Sequence, residues 1–161
     1  MNLLYFAMSG AAGLIGWSTI FATIIWPKMK GQPRKERLKS LTAIHFFRYF
    51  GTTMLMLGLV VAKLPTGFTN FAVYGDLITL ILAYITFVTL HRSRNDNIQL
   101  FPVWLLNVFG AGDLLLALVL GPLLIKDPAN FGFAYFIPTF YVPLLLVAHF
   151  YAFKTLKHSL T

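Results

Sequence analysis

Residues 100–125, LFPVWLLNVFGAGDLLLALVLGPLLI, decide the fold, and Asp113 is their only charged residue. The stretch exceeds the about 20 apolar residues that a helix needs to cross a bilayer. It lacks the alternation of apolar and polar positions that marks a strand of a transmembrane barrel. Because a helix satisfies its own backbone hydrogen bonds in lipid, the stretch predicts a transmembrane helix.

Four similar apolar stretches accompany it, at residues 3–26, 41–62, 71–90 and 131–153. The polar breaks between them contain the Pro, Gly and Asn residues that are typical of turns. Five helices with short loops use nearly all of the 161 residues. We therefore predict an all-α fold, with residues 1–161 forming one integral membrane domain, a polytopic bundle of five transmembrane helices.

The composition supports this class and excludes others. The chain is 58% hydrophobic and 11% charged, whereas a soluble domain is about 45–50% apolar and about 25% charged. It contains no cysteine, which excludes a disulfide-stapled scaffold. We expect no soluble domain beside the helices.

The basic residues predict the orientation of the bundle. The breaks on one side carry ten of them: Lys28, Lys30, Arg34, Lys35, Arg37, Lys39, Arg92, Arg94, Lys154 and Lys157. The breaks on the other side carry only Lys63 and Lys126. The positive-inside rule then predicts a multi-pass protein of the cell inner membrane, with its N-terminus outside and its C-terminus in the cytoplasm.

The formal net charge of +8 has a topological explanation. The excess lies in short loops beside apolar stretches, where it favours contact with anionic lipid headgroups at the cytoplasmic face. No nucleic-acid-binding fold surrounds it, so the lipid bilayer is the expected partner and nucleic acid is not.

Three charged residues fall inside the apolar stretches: Arg48, Asp76 and Asp113. Each costs at least about 2.5–3.5 kcal/mol at the centre of a span, so such residues usually face the bundle interior and find partners. They are the first candidates for a functional site. Asp113 lies near mid-span, where a structural ion pair and a proton or ligand site are both open interpretations.

Arg48 belongs to the pattern His45-x-x-Arg48, followed by Thr52. On an α-helix these residues share one face, which Tyr49 also joins. Arg48 lies about 10 Å from the cytoplasmic end at 1.5 Å per residue. It either snorkels to the headgroups or belongs to a buried site.

Asp76 is predicted to lie near the outer end of its helix, less than about two turns from the surface. There an interfacial or water-facing role is expected. It is therefore an outer-side candidate, separate from the other polar residues.

Depth groups the remaining polar residues. His45 and His149 lie at similar depth below the cytoplasmic ends of their spans, with Arg48 and Asn107 about one turn deeper. We predict a ligand or proton site that contains these four residues, with Asp113 as its floor. Pro138 and Pro143 precede His149 on its helix, and each removes an amide donor, so a kink is expected there.

Four motifs resemble those of a group of small, uncharacterised bacterial five-helix integral membrane proteins. They are His45-x-x-Arg48, Tyr74-Gly-Asp76-Leu, Asn107-x-x-Gly110-x-x-Asp113-Leu and Ile137-Pro-Thr-x-x-Val-Pro143-x-x-x-x-x-His149. The resemblance implies a bacterial inner-membrane protein and brings no activity, cofactor or catalytic residue.

Several functions remain open. A polar pocket with buried Asp, Arg and His favours a small carrier or a proton- or solute-handling protein, for which a homo-oligomer is expected. The alternatives are a redox protein with a haem between His45 and His149, a lipid-modifying membrane enzyme, and an accessory subunit of a larger membrane complex. No metal-ligand cluster or catalytic motif appears, so the sequence does not favour an enzyme and identifies no cofactor.

Overall fold

A computed structural model describes residues 3–56, 58–61, 64–93 and 100–157. Six α-helices are joined in part by 3-10 and π-helical segments, and no strand occurs in these ranges. The α-helices are α1 (Leu3–Ile20), α2 (Trp26–Lys30), α3 (Arg34–Ala43), α4 (Thr66–Arg92), α5 (Leu100–Leu124) and α6 (Val142–Lys157). The other segments are a π-helix at Phe21–Ile25, 3-10 helices at Ile44–Leu55 and Pro128–Tyr135, and a π-helix at Ile137–Tyr141.

Four helices in the described ranges are long and apolar enough to cross a membrane: Leu3–Lys30, Thr66–Arg92, Leu100–Leu124 and Ile137–Lys157. This indicates a membrane protein. The predicted span at 41–62 is not among the four. Two of the basic residues that predict the orientation, Lys63 and Arg94, lie outside the described residues.

The polypeptide at the predicted second span forms two kinds of helix. It begins in the charged segment as α3, changes to a 3-10 helix of 12 residues at Ile44, and ends at Leu55. Runs of 3-10 helix longer than 3–4 residues are uncommon. The hydroxyls of Thr52 and Thr53 donate to the carbonyls three residues earlier, at 2.7 and 2.6 Å, which suits this tighter winding.

The 3-10 winding changes which residues share a face. At 3.0 residues per turn, side chains at i and i+3 eclipse. The buried residues of this helix are accordingly His45, Arg48, Gly51 and Met54. The predicted companions are wrong, because Tyr49 is 45% exposed and Thr52 is only half-buried.

The helices pack around α4 and α6. The 3-10 helix Ile44–Leu55 and α5 both lie against α4, while α6 contacts α1, α3 and α5. α1 buries none of its residues and packs mainly along α6 and the π-helix before it, with Phe6 also against Phe131 of the 3-10 helix Pro128–Tyr135. The three faces that meet in the interior therefore come from the 3-10 helix, α4 and α5, with α6 beside them.

The kink predicted from Pro138 and Pro143 takes the form of the π-helix Ile137–Tyr141, which runs directly into α6. The carbonyl of Phe140 in this π-helix accepts a hydrogen bond from the Trp17 indole at 3.0 Å. A Cβ at Gly13 would collide with the Thr139 carbonyl oxygen, so this glycine lets α1 approach closely.

Candidate functional site

All six predicted site residues are buried, and they form one continuous polar group. Arg48 is fully buried, and no member is more than 9% exposed. Arg48 and His45 come from the 3-10 helix, Asp76 from α4, Asn107 and Asp113 from α5, and His149 from α6.

Arg48 pairs with two carboxylates through one nitrogen. Its Nη1 donates to Asp76 Oδ1 at 2.6 Å and to Asp113 Oδ2 at 3.0 Å. Its Nη2 donates to the Gly110 carbonyl at 2.7 Å. The guanidinium thus connects three helices and points inward, so the snorkelling interpretation does not describe it.

The predicted outer-side position of Asp76 is corrected. The helix α4 begins at Thr66, five residues before the apolar stretch 71–90, so Asp76 lies almost three turns into the helix. Its carboxylate is buried against Arg48 and belongs to the same group as Asp113.

Glycines provide the space for both carboxylates. A Cβ at Gly51 would collide with the Asp76 carboxylate, and a Cβ at Gly75 would collide with the Asp113 carboxylate. Each aspartate therefore faces a glycine on the neighbouring helix. The repeated Gly-Asp-Leu of residues 75–77 and 112–114 contains only one glycine of this kind. Gly75 faces a carboxylate, whereas nothing lies within 4 Å of a Cβ at Gly112.

The two histidines stack on each other. The ring centroids of His45 and His149 lie 4.2 Å apart with 29° between their planes. His149 Nδ1 lies 2.8 Å from Asn107 Oδ1, and the Asn107 amide donates to the Val103 carbonyl at 2.7 Å. Asn107 is an acceptor in this pair, so it fixes the proton of His149 on Nδ1 when the ring is neutral.

Gly110 joins the histidines to the charged cluster. Its carbonyl accepts from Arg48, and a Cβ on it would lie 2.9 Å from the His149 ring and 2.9 Å from Thr79 Cγ2. Sequence reasoning missed Gly51, Gly75 and Thr79 as site residues. These residues belong to the site because the packed helices bring them close to its side chains, and no pattern in the sequence indicates that contact.

Three buried nitrogens of this group have no hydrogen-bond partner among the described residues: His45 Nδ1, Arg48 Nε and His149 Nε2. Buried polar atoms are normally satisfied by protein or by ordered water. These three nitrogens can therefore form hydrogen bonds with water or with another polar molecule.

The histidine pair does not fit a haem. Ligation from both faces requires the two rings to point at one iron from opposite sides, with the macrocycle between them. Rings stacked at 4.2 Å leave no space for it. Among the described residues, no group of three or more His, Asp or Glu is close enough to hold a metal ion.

A family model described as Domain of unknown function (DUF8737) matches residues 5–157. The chain therefore belongs to this family. No curated protein and no solved structure matches the chain.

Proposed function

We propose that this protein takes up and releases a proton or small cation at a buried cluster, defined as Arg48, Asp76 and Asp113, and acts as a small carrier. The observation that carries the proposal is the pairing of two buried carboxylates with one guanidinium. Buried ionisable residues inside membrane helices commonly belong to substrate and proton pathways.

The charges of the cluster support this role. With both carboxylates ionised, the cluster has a formal charge of −1. A net charge buried among helices is costly unless something compensates for it. One proton, or one other cation, neutralises the cluster, and exchange between these two occupants is the elementary step of a coupled carrier.

The polar residues also form a file along the bundle. Asn107 and the stacked His45 and His149 lie nearer the basic end, while Gly110 and Arg48 come next and the two aspartates lie furthest in. A neutral imidazole has one N–H donor and one acceptor nitrogen, and His45 Nδ1 and His149 Nε2 have no hydrogen-bond partner among the described residues. We infer that the file, completed by water at these nitrogens, is the proton route between the cluster and the basic end.

We extend the proposal to the topology. Arg34 Nη2 donates to the Leu156 carbonyl at 3.3 Å, and the Lys154 ammonium lies 5.1 Å from the centre of the Trp26 ring. These contacts gather the basic ends of α2, α3 and α6 and favour a cytoplasmic location for them. The 3-10 helix adds about 24 Å at 2.0 Å per residue, so we propose it as the fifth crossing of a multi-pass inner-membrane protein.

Five crossings are few to enclose a pathway, so we propose that a homo-oligomer in anionic lipid is the working form. This does not change the site, because all three members of the cluster come from one chain.

Proteoliposomes that contain a pH-sensitive dye test the proposal under an imposed pH gradient. We expect wild type to move protons and Asp113→Asn to lose at least about 10-fold of the flux, equivalent to about 1.4 kcal/mol. The matched control is Asp127→Asn, which removes an exposed carboxylate from the loop after α5. Equal flux in wild type and Asp113→Asn, or no flux in either, contradicts the proposal.

A further inference from the structure

A large apolar cavity lies between α1, α5 and the π-helical end of α6. Its volume is about 410 Å³, within the range of small-molecule sites. The lining residues include Phe6, Gly10, Phe68, Ala117, Phe131 and Val142. Leu3 and Leu14 of α1 also line it and are 46% and 41% exposed, so the cavity opens beside this peripheral helix.

A smaller cavity of about 40 Å³ adjoins the carboxylates of the cluster, and its lining contains both Asp76 and Asp113. It shares Phe68, Ala117, Leu118, Phe131, Pro138 and Val142 with the large cavity. Since a water molecule occupies about 30 Å³ in the liquid, the small cavity has the size of one polar group. An apolar chamber thus adjoins a small, largely apolar recess whose lining includes the two aspartates of the cluster.

We propose that this pair of cavities binds a lipophilic amine, with its ammonium group in the recess and its hydrocarbon body in the chamber. The inference rests on the proposed function, because it uses the same unbalanced carboxylate. One hydrocarbon-bound ammonium complements a cluster with one excess negative charge.

The apolar lining alone does not select this ligand, since a lipid acyl chain also fills an apolar cavity. The excess negative charge of the cluster favours the amine, because an uncharged acyl chain does not neutralise the carboxylates.

The binding step has a defined proton balance. The ammonium enters the recess as a cation, one carboxylic acid O–H bond breaks, and its proton leaves to water. The total charge of the cluster and its occupant stays zero. Each amine bound therefore releases one proton, so the amine and the proton compete for one site.

The test uses the full chain in lipid nanodiscs with tritiated 1-aminoadamantane, a compact hydrocarbon cage that carries one primary amine. The matched ligand is 1-adamantanol, which has the same cage and no positive charge. We expect saturable binding of the amine, with an affinity at least about 10-fold higher than that of the alcohol. This ratio corresponds to a difference in binding free energy of about 1.4 kcal/mol. One proton is released per amine bound.

The matched protein variants are Ala117→Phe, which fills the junction of the two cavities, and Ala22→Phe, which adds the same ring at an exposed position that lines neither cavity. We expect the first to weaken amine binding at least about 10-fold and the second to leave it unchanged. Equal affinity for amine and alcohol in wild type overturns the proposal without depending on any variant.

The outcomes separate this inference from the proposed function. Proton flux that depends on Asp113, together with no saturable amine binding, overturns the amine site and leaves the proton role in place. Saturable binding without proton release overturns the exchange at the cluster. Binding that Ala117→Phe does not weaken is partition into lipid and also overturns the site.

Discussion

The Asp113 carboxylate occupies the space in which a side chain at position 75 would begin. A Cβ on Gly75 of α4 would collide with Asp113 Oδ1 of α5, and the same carboxylate accepts from Arg48 at 3.0 Å. The close approach of α4 and α5 at this point is what brings Asp113 and Asp76 to one guanidinium.

Gly75→Ala is expected to destabilise the protein by about 1–3 kcal/mol, because overpacking a tight site displaces its neighbours. Here the displaced neighbour is a buried charged group, so flux should fall as well. Gly112→Ala is the matched control, since nothing lies within 4 Å of a Cβ there. Denaturant unfolding of both variants measures the difference, and equal stability would show that the helices separate easily.

Arg48→Gln leaves two carboxylates buried without their cation. Removal of one partner from a buried ion pair costs about 3–5 kcal/mol. Arg92→Gln, at the exposed end of α4, should change the free energy of unfolding by less than about 0.5 kcal/mol. A mild effect of Arg48→Gln would mean that the carboxylates do not depend on the guanidinium.

Asp113→Asn should be far less damaging to folding than Arg48→Gln. It leaves Arg48 and Asp76 as a balanced pair and retains an oxygen acceptor at position 113. We expect normal assembly with lost flux, and the double variant Asp76→Asn with Asp113→Asn should be much less stable than either single variant. Thermal unfolding of wild type, the two single Asp→Asn variants and the double variant measures these differences in stability. If the effects of the two substitutions simply add, the two carboxylates do not share one cation.

Asn107→Leu is expected to cost about 1–3 kcal/mol, because it leaves His149 Nδ1 buried without its acceptor. In a His149→Phe background the same substitution should cost less, since no ring nitrogen then requires a partner. A double-mutant cycle gives the coupling, which for residues in contact is about 0.5–3 kcal/mol. Zero coupling would mean that the 2.8 Å contact contributes nothing to stability.

Asp127 begins the 3-10 helix Pro128–Tyr135, and its Oδ1 accepts from the Ala129 N–H at 2.9 Å. This hydrogen bond holds the pKa of the Asp127 carboxyl below its usual value. Its contribution to stability is therefore present above the ordinary Asp pKa of about 3.9 and is lost as pH falls through the lower folded value. A carbon-detected NMR titration measures that pKa, and an unshifted value would show that the cap does not form.

The residues of the candidate site were identifiable from composition because charge is rare in apolar stretches. The free-energy cost of placing a charge in the bilayer singles out Arg48, Asp76 and Asp113. Similar depth below the basic ends of their spans singles out His45, Asn107 and His149. Their partners were not identifiable. Hydropathy places the start of the helix that contains Asp76 at residue 71 and Asp76 near its outer end, whereas α4 begins earlier, at Thr66, in polar residues.

The sequence by itself determined the helical class and the scarcity of charge, because lipid excludes unpaired backbone and favours apolar side chains of many kinds. Only the tertiary structure decided that the second apolar stretch winds as a 3-10 helix and that Gly51 and Gly75 admit the carboxylates to Arg48. Apolar residues that suit lipid equally well do not specify which helix faces meet. That choice depends on close packing between small residues and on satisfying buried charge, and both are properties of several segments at once.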